Sequence, residues 1–559
     1  MASFKNKKFL AFFVSATCIG VLCGFPIGFF QAIRRILPHA FFQYNMYRIS
    51  LQYSLSEINR SVLWATLTVW SITFAGAGIF QMIQRISKTN FGKLSSTWKR
   101  YPTMVLSLAK STFIVWIFIN VFWISVMLFS SPQTPNLIII SVDCLRKDHL
   151  SAYGYSRQTS PNIDTFSQDA TLFEDVISQS CWTIPSVASL FTLLYPSTHL
   201  TRGSVDGFWE ENILNPKLVT LAELLKNEGY QTAAFIANHS LIKEYHFDQG
   251  FDLYDMIDDS SKPLAENVNK KVFSWLKTHY KKPFFMYLHY MDPHAEYGAP
   301  IPYRNFFISD TKRMLTLDEF TAIKHVLPNT NIWDLNTYID MYDSEIRYVD
   351  HYIGELLELV RRNGLFDNTI VVITADHGEA FLEHGFCEHG NALYREEIDI
   401  PLIVRFPNTQ PFPTKVTHRI EQIDVIQSIL EHMGYGYPYP VHGSSITVYE
   451  NDTACFSEEP STHHKFLPTI SMTENNFKAI YFTPKKTITD LYDLTSDPLE
   501  RTNLVREKAA LAEQFRTRIK AWATARSADA RQLGIDKRPA KLHIDKNHIN
   551  TLKALGYVR

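Results

Sequence analysis

The stretch TIVVITADHGEAFLEHGFCEHGNALY, residues 369 to 394, changes character partway along its length. Its opening TIVVITA is apolar without interruption, too continuous for a strand with one wet face, so 369 to 375 read as a strand buried on both sides. The residues beyond Ala375 are crowded with Asp, His and Glu. The same change occurs after NLIIISV (136 to 142), which runs into Asp143 and CLRKDH. It recurs after FFMYLHY (284 to 290), which runs into MDPHAEY with Asp292 and His294. QTAAFIA (231 to 237) is a further run of this kind.

Amphipathic helical patterns separate these runs: TLAELLKNEG (220 to 229), AENVNKKVFSWLKTHY (265 to 280) and DSEIRYVDHYIGELLELVRRNG (343 to 364). The last two stop at KKP and at Gly364. Strand and helix in alternation predict an α/β fold, a mostly parallel sheet with helices on both faces. In such sheets ligands gather beyond the carboxyl ends of the strands. One histidine there is more often a helix cap or a hydrogen-bonded core residue. Three loops that present Asp, Asp with His, and Asp-His together point to a metal-assisted site.

The chain has 559 residues, 46% of them hydrophobic, enough for two or three units. Lys+Arg 55 against Asp+Glu 56 gives a net charge of -1 and no basis for capturing nucleic acid. Cys18, Cys23, Cys144, Cys181, Cys387 and Cys455 are too few and too scattered for a disulfide scaffold, and no CxxC pair suggests a zinc knuckle.

Hydrophobicity peaks at the front. Residues 9–30, 61–83 and 104–130 are each long enough to cross ~30 Å of hydrocarbon as a helix, which predicts three transmembrane helices. Lys5, Lys7 and Lys8 precede the first, and Arg85, Lys88, Lys93, Lys99 and Arg100 fill the loop between the second and third. Basic residues stay inside, so the N-terminus is expected in the cytoplasm and everything after Ser130 outside it, on an integral membrane protein of the plasma or inner membrane. SPQTP (131 to 135) reaches at most roughly 18 Å, which keeps the following domain near the bilayer. The expected division is a membrane domain 1–130, a catalytic domain 131–450 and a C-terminal subdomain 451–559.

Five ordered segments resemble a known family. SVDCLRKDHLSAYGYSRQTSPNID, TIPSVASLFTLLYP, LHYMDPHAEY, ADHGEAFLEHG with EHGNALY, and LYDLTSDPLERTNL are similar to the successive motifs of sulfatases in the alkaline phosphatase superfamily. The closing LKALGY (552 to 557) is similar to tails in that family. The resemblance spans 136 to 559 and implies a sulfatase-like α/β sandwich with a small C-terminal sheet. TISMTENNFKAIYFTPKKTITDLYDL (469 to 494) has the alternation of its strands, and 505 to 524 would be its helix.

Arylsulfatase-type members use the cysteine of C-x-P-x-R, oxidised to formylglycine. Here Cys181 lies four residues before Pro185, Thr183 takes the position two before it, and Val187 replaces the arginine. The register selects Thr183 as nucleophile, which resembles lipoteichoic acid synthases and phosphoethanolamine transferases. A threonine hydroxyl becomes competent when a divalent cation stabilises its alkoxide. The competing reading of Thr183 is an N-cap of the helix starting near Pro185.

The resemblance implies one divalent cation held by Asp143, Thr183, Asp376 and His377. Cys144 and His377 replace the Asp and Asn of the calcium pairs, and this mixed donor set favours Mn2+ or Zn2+ over Ca2+. By motif position His294 and His389 would contact substrate oxygens or protonate the leaving group. Arg146 would order the first loop or meet the substrate, and His384 and Glu379 would bind substrate or order their loop. If Asp143 and Thr183 share one metal, Cys144 and Cys181 come near the ~7 Å Cα separation a disulfide needs.

The leading expectation is therefore a membrane-anchored, metal-dependent phosphotransferase or phosphodiesterase acting on a lipid-linked or envelope substrate. The alternative is a sulfuric ester hydrolase, with an inactive membrane scaffold as a third reading. A scaffold has no reason to keep all four ligands.

Overall fold

The apolar runs at 136 and 369 become neighbouring strands at the centre of a nine-stranded sheet. The computed structural model describes residues 134–202, 212–257, 264–323, 331–407, 413–446, 453–460 and 468–535. The three expected membrane spans and LKALGY lie outside these residues. Among the described residues no helix is long and apolar enough to cross a membrane.

The strands are β1 (Asn136–Val142), β2 (Thr171–Ile177), β3 (Gln231–Ile236), β4 (Leu253–Met256), β5 (Phe284–Tyr290), β6 (Thr369–Ala375), the hairpin pair β7 (Ala380–Phe381) and β8 (Cys387–Glu388), then β9 (Asp399–Arg405), β10 (Lys415–Val416) and β11 (Ile420–Glu421). Their order in the main sheet is β10-β2-β9-β6-β1-β5-β3-β4, with β11 also on β2. β9 runs antiparallel to β2 and β6, and the other pairings are parallel. The sheet is thus mostly parallel, as the continuous apolar runs imply. β2 and β9 do not announce themselves in sequence. Glu174 and Asp175 interrupt the apolar pattern of β2, and Pro401 interrupts β9 where its register with β2 shifts.

The covering helices include α1 (Pro161–Ser167), α2 (Thr183–Thr192), α3 (Leu221–Asn227), α4 (Ala265–His279), α5 (Leu335–Arg362) and α6 (Gln422–Met433). α3 begins in a capping box between Thr220 and Glu223, each side chain accepting from the other's backbone N–H. α5 starts eight residues earlier than the pattern from 343, where the Asp334 carboxylate accepts from the Asn336 N–H. Every residue of α2 is buried, and it ends on Leu193 at φ 55°, a left-handed position that glycine fills more readily.

The predicted C-terminal strands form. β12 (Cys455–Glu459), β13 (Thr469–Glu474), β14 (Phe477–Phe482) and β15 (Thr487–Asp493) make an antiparallel sheet in that order, packed against α7 (Ala509–Gln532).

Register in the main sheet decides where the chemistry goes. Val142 pairs with Ala375 on one side and with Tyr290 on the other, so the first residues after β1, β5 and β6 emerge side by side. Ile236 pairs with His289, which brings the end of β3 to the same edge.

Candidate active site

Asp143 and Asp376 follow β1 and β6 in aligned register, both buried. Thr183 reaches them from β2 because two hydroxyls tie α2 to the end of β6. Ser178 Oγ and Ser186 Oγ both donate to the Asp376 carbonyl, at 2.5 and 2.6 Å. The helix begins at Thr183 itself, with Trp182 in the capping position, so the threonine side chain is not spent as an N-cap. Its Oγ1 lies 3.2 Å from His377 Nε2 and 3.4 Å from Asn238 Nδ2.

His377 Nδ1 is 2.9 Å from the Gly378 carbonyl, which only accepts, so Nδ1 carries the proton and Nε2 presents a lone pair. Burial holds its pKa down to about 4. That lone pair is 3.6 Å from Asp143 Oδ1 and 3.4 Å from Asp376 Oδ2. Donor atoms around a tetrahedral ion at ~2.0–2.2 Å stand roughly 3.3–3.6 Å apart. The separations between His377 and its Thr183, Asp143 and Asp376 partners match that spacing. Asp376 Oδ2 is buried and accepts no hydrogen bond from the protein, and burial together with the charge of Asp143 pushes its carboxyl up. The residues present thus fit a divalent cation, and Asp143, Thr183, Asp376 and His377 are brought together as the sequence predicts.

Burial alone would raise the Asp143 carboxyl. The hydrogen bond from His289, with the imidazoles of His294 and His377 beside it, outweighs it and holds the group well below the usual carboxylate range. His289 Nε2 sits 3.0 Å from Asp143 Oδ2, and Asn238 Nδ2 donates to the same oxygen. Neither residue stands out in the sequence reading. Asn238 comes directly after the apolar run 231 to 237, so the rule that finds Asp143 and Asp376 finds it as well. His289 is a polar residue inside a buried strand, and its Nδ1 meets Tyr287 Oη at 3.0 Å.

The two predicted oxygen-contacting histidines also converge. The His294 and His389 rings are 5.0 Å apart, and His389 is 4.4 Å from the His377 ring. His294 Nδ1 donates to the Ala295 carbonyl, which leaves Nε2 as its lone-pair nitrogen. His389 Nδ1 lies 3.3 Å from Cys144 Sγ and 3.2 Å from Glu379 Oε1. Burial lowers the pKa of both histidines and pushes Glu379 up to about 8.

The disulfide expectation needs correction. Cys144 and Cys181 are not bonded: both thiols are free. Cys144 points at Asp143 and His389, whereas Cys181 points at Glu459 of β12, 3.1 Å away, among Ile177, Leu393, Ile398 and Cys455. Bringing their neighbours to one site turned the two thiols outward from each other. Arg146 orders the first loop, one of its two expected roles: it grips Asp148 through two nitrogens and donates to Glu383 and to the Glu379 carbonyl. His384 orders its loop, with one nitrogen on Glu396, the other on the Glu500 carbonyl and its ring stacked on Tyr394 at 3.8 Å.

Comparison with known proteins gives the family. The sulfatase family model matches residues 135–435, and that of the N-sulphoglucosamine sulphohydrolase C-terminal region matches 382–524. An N-acetylglucosamine-6-O-sulfatase of Bacteroides thetaiotaomicron is 22% identical, over 66% of this chain and 83% of its own. Among solved structures, the phosphonate monoester hydrolase of Agrobacterium radiobacter superposes with a TM-score of 0.57 at 18% identity, covering 70% of this chain and 96% of that one. Another, solved in complex with its substrate D-glucosamine-2-N,6-O-disulfate, gives 0.58 at 21% identity, covering 73% and 100%. Since the first family match alone takes in more than half of the 559 residues, the chain belongs to the sulfatase family and is a sulfatase-like hydrolase of the alkaline phosphatase superfamily.

Proposed function

We propose that this protein hydrolyses a sulfate ester, with Thr183 as the attacking group and Asp143, Asp376 and His377 as its metal ligands. The observation that carries the reading is that His377 Nε2 has Thr183 Oγ1 and the two carboxylates around it at 3.2 to 3.6 Å. The sulfatase match and the sulfated sugar bound by a structural relative support sulfate over other esters.

A divalent cation in this pocket would stabilise the threonine alkoxide and draw charge from the non-bridging oxygens of the ester. Thr183 Oγ1 gives its proton to solvent and attacks sulfur, and the bond to the alcohol oxygen breaks. His389 or His294 gives that oxygen a proton, so the alcohol leaves neutral. Water then cleaves the Thr183 sulfate ester, returning the hydroxyl and releasing hydrogen sulfate. Asn238 and His289 hold the Asp143 carboxylate in place through both steps. The mixed oxygen and nitrogen donors support Mn2+ or Zn2+ over Ca2+.

A second reading, phosphoester or phosphodiester hydrolysis or transfer, is favoured by one observation. Thr183 cannot mature to formylglycine, so the aldehyde route that expels sulfate is closed to it. The apolar segments 9–30, 61–83 and 104–130 support a membrane anchor with the catalytic part, 131–450 with 451–559, outside the cytoplasm and a lipid-linked substrate in the phosphoester case.

Purified full-length protein supplied with Mn2+ or Zn2+ is assayed against sulfated hexosamines, aryl sulfates, phosphodiesters and phosphonate monoesters. Sulfate release lost in Thr183→Ala is the expected result. Turnover of phosphorus esters alone replaces the first reading with the second, and no turnover of any ester rejects both.

A further inference from the structure

A cavity of about 350 Å³ opens where β2 and the start of β9 meet the C-terminal sheet, and none of Asp143, Thr183, Asp376 and His377 lines it. Its volume falls among those of small-ligand sites. Its walls are charged. Lys147 reaches it from the loop after β1, Arg395 from just before β9, Arg419 from just before β11 and Lys478 from β14, and they meet Glu174, Asp175, Asp399 and Glu500 there.

The carboxylates are already taken. Asp175 has Lys147 at 3.5 Å and Arg419 at 2.8 Å, Asp399 has Lys147 at 3.4 Å, and Glu174 pairs with Lys415. Glu500 accepts from Lys478 through both oxygens, at 2.7 and 3.0 Å, and from the Arg395 N–H at 3.1 Å. Five cations, Lys415 included, thus meet four carboxylates, and the surplus falls on Arg395. Its guanidinium comes no nearer than 3.7 Å to Asp399, beyond hydrogen-bond reach, and makes no hydrogen bond among the described residues. Arg419 uses one nitrogen on Asp175, and its others have no partner among the described residues. Thr473 on β13 and Asn476 in the turn after it line the same space.

The groups left over are donors, and a guanidinium offers paired N–H groups that match two oxygens of a carboxylate or sulfate. Both arginine side chains are only 21% exposed, so solvent and salt screen them in part. We infer that this cavity is a second, noncatalytic site that binds an oxyanion, a sulfate or carboxylate group, through Arg395 and Arg419, with Thr473 and Asn476 as further hydrogen-bond partners. Lys147 lies four residues after Asp143, so their Cα atoms are at most roughly 14 Å apart. A short oligosaccharide spans that distance. The oxyanion therefore has two sources: a remote acidic group on the substrate, which rests on the sulfate-ester reading, or free sulfate.

The test titrates sodium sulfate into metal-loaded full-length protein by calorimetry, with thermal melts alongside. Saturable binding is expected, at least tenfold weaker in Arg395→Ala and in Arg419→Gln and retained in Asp376→Asn, which alters the catalytic pocket instead. Binding that is absent from the wild type, unchanged in either arginine variant or lost in Asp376→Asn overturns the site. Kinetics on singly and doubly sulfated disaccharides then separate the sources. A preference for the doubly sulfated one that falls at least tenfold in Arg395→Ala assigns the oxyanion to the substrate, and no preference, or one the variant leaves alone, assigns it to free sulfate. If neither disaccharide is turned over, the sulfate-ester reading fails while the titration still decides the site.

Discussion

Thr183 Oγ1 and His377 Nε2 lie 3.2 Å apart across 194 positions of sequence, with the histidine proton committed to the Gly378 carbonyl on the far side of the ring. The hydroxyl therefore faces the lone pair of a histidine that also lies 3.6 and 3.4 Å from the Asp143 and Asp376 carboxylates. Thr183→Ala should lower kcat on the order of 10³-fold or more, while Thr183→Ser keeps measurable turnover, with the melting temperature little changed in both. Steady-state kinetics with thermal melts check this, and an active alanine variant discards Thr183 as nucleophile.

Asn238 links the sheet edge to the nucleophile, since its amide nitrogen contacts both Asp143 and Thr183. Removing such a partner of a metal-binding carboxylate typically costs about 10–100-fold in metal affinity or activity. Asn238→Ala should show a loss of that size in a metal titration followed by activity. Wild-type affinity and turnover in the variant would leave Asn238 with a packing role only.

Gly378 is required by a close approach. A Cβ there would sit 2.1 Å from the Glu396 carbonyl oxygen, and both partners are backbone, so no rotamer change relieves the clash. The Gly378 N–H also donates to the Glu397 carbonyl at 2.8 Å. Gly378→Ala should destabilise the fold by about 1–3 kcal/mol and displace the adjoining His377, read as a lower melting temperature together with lost activity.

Glu458 on β12 gives a pH signature away from the catalytic pocket. Burial pushes its carboxyl up to about 7, against opposing charges from Arg202 and Arg526 and a hydrogen bond from the Ser197 N–H. The folded-state value lies above the ordinary 4.5, so its stabilising contribution is complete below about pH 4.5 and is lost as pH rises through 7. Glu458→Gln removes the ionisation. Its melting temperature should gain on wild type between about pH 4.5 and 7 and keep that lead above, by up to about 3 kcal/mol of stability. Parallel pH profiles for the two proteins would show that Glu458 does not titrate in this range.

Asp143, Asp376 and His377 are legible in the sequence because they come at the ends of continuous apolar runs, and that position is a local property of the chain. Asn238 is equally legible by the same rule. His289 is hidden because a polar residue within a buried strand carries no sign of which partner satisfies it. β9 is hidden for a related reason: Pro401 weakens its pattern, and only pairing with β2 and β6 on both flanks makes it a strand.

By itself the sequence determined the mostly parallel sheet, the edge on which the chemistry gathers and the shift of register from Cys181 to Thr183. The first two come from periodicity and spacing, which act over a few residues, and the third from the motif of the family the chain resembles. The tertiary structure alone decided which way the side chains beside that edge point. It turned Cys144 into the pocket and Cys181 toward β12, spent Arg146 and His384 on neighbouring loops, and aimed His377 Nε2 at the hydroxyl. Those outcomes depend on strand register and on contacts between segments far apart in the chain, which adjacency in sequence does not encode.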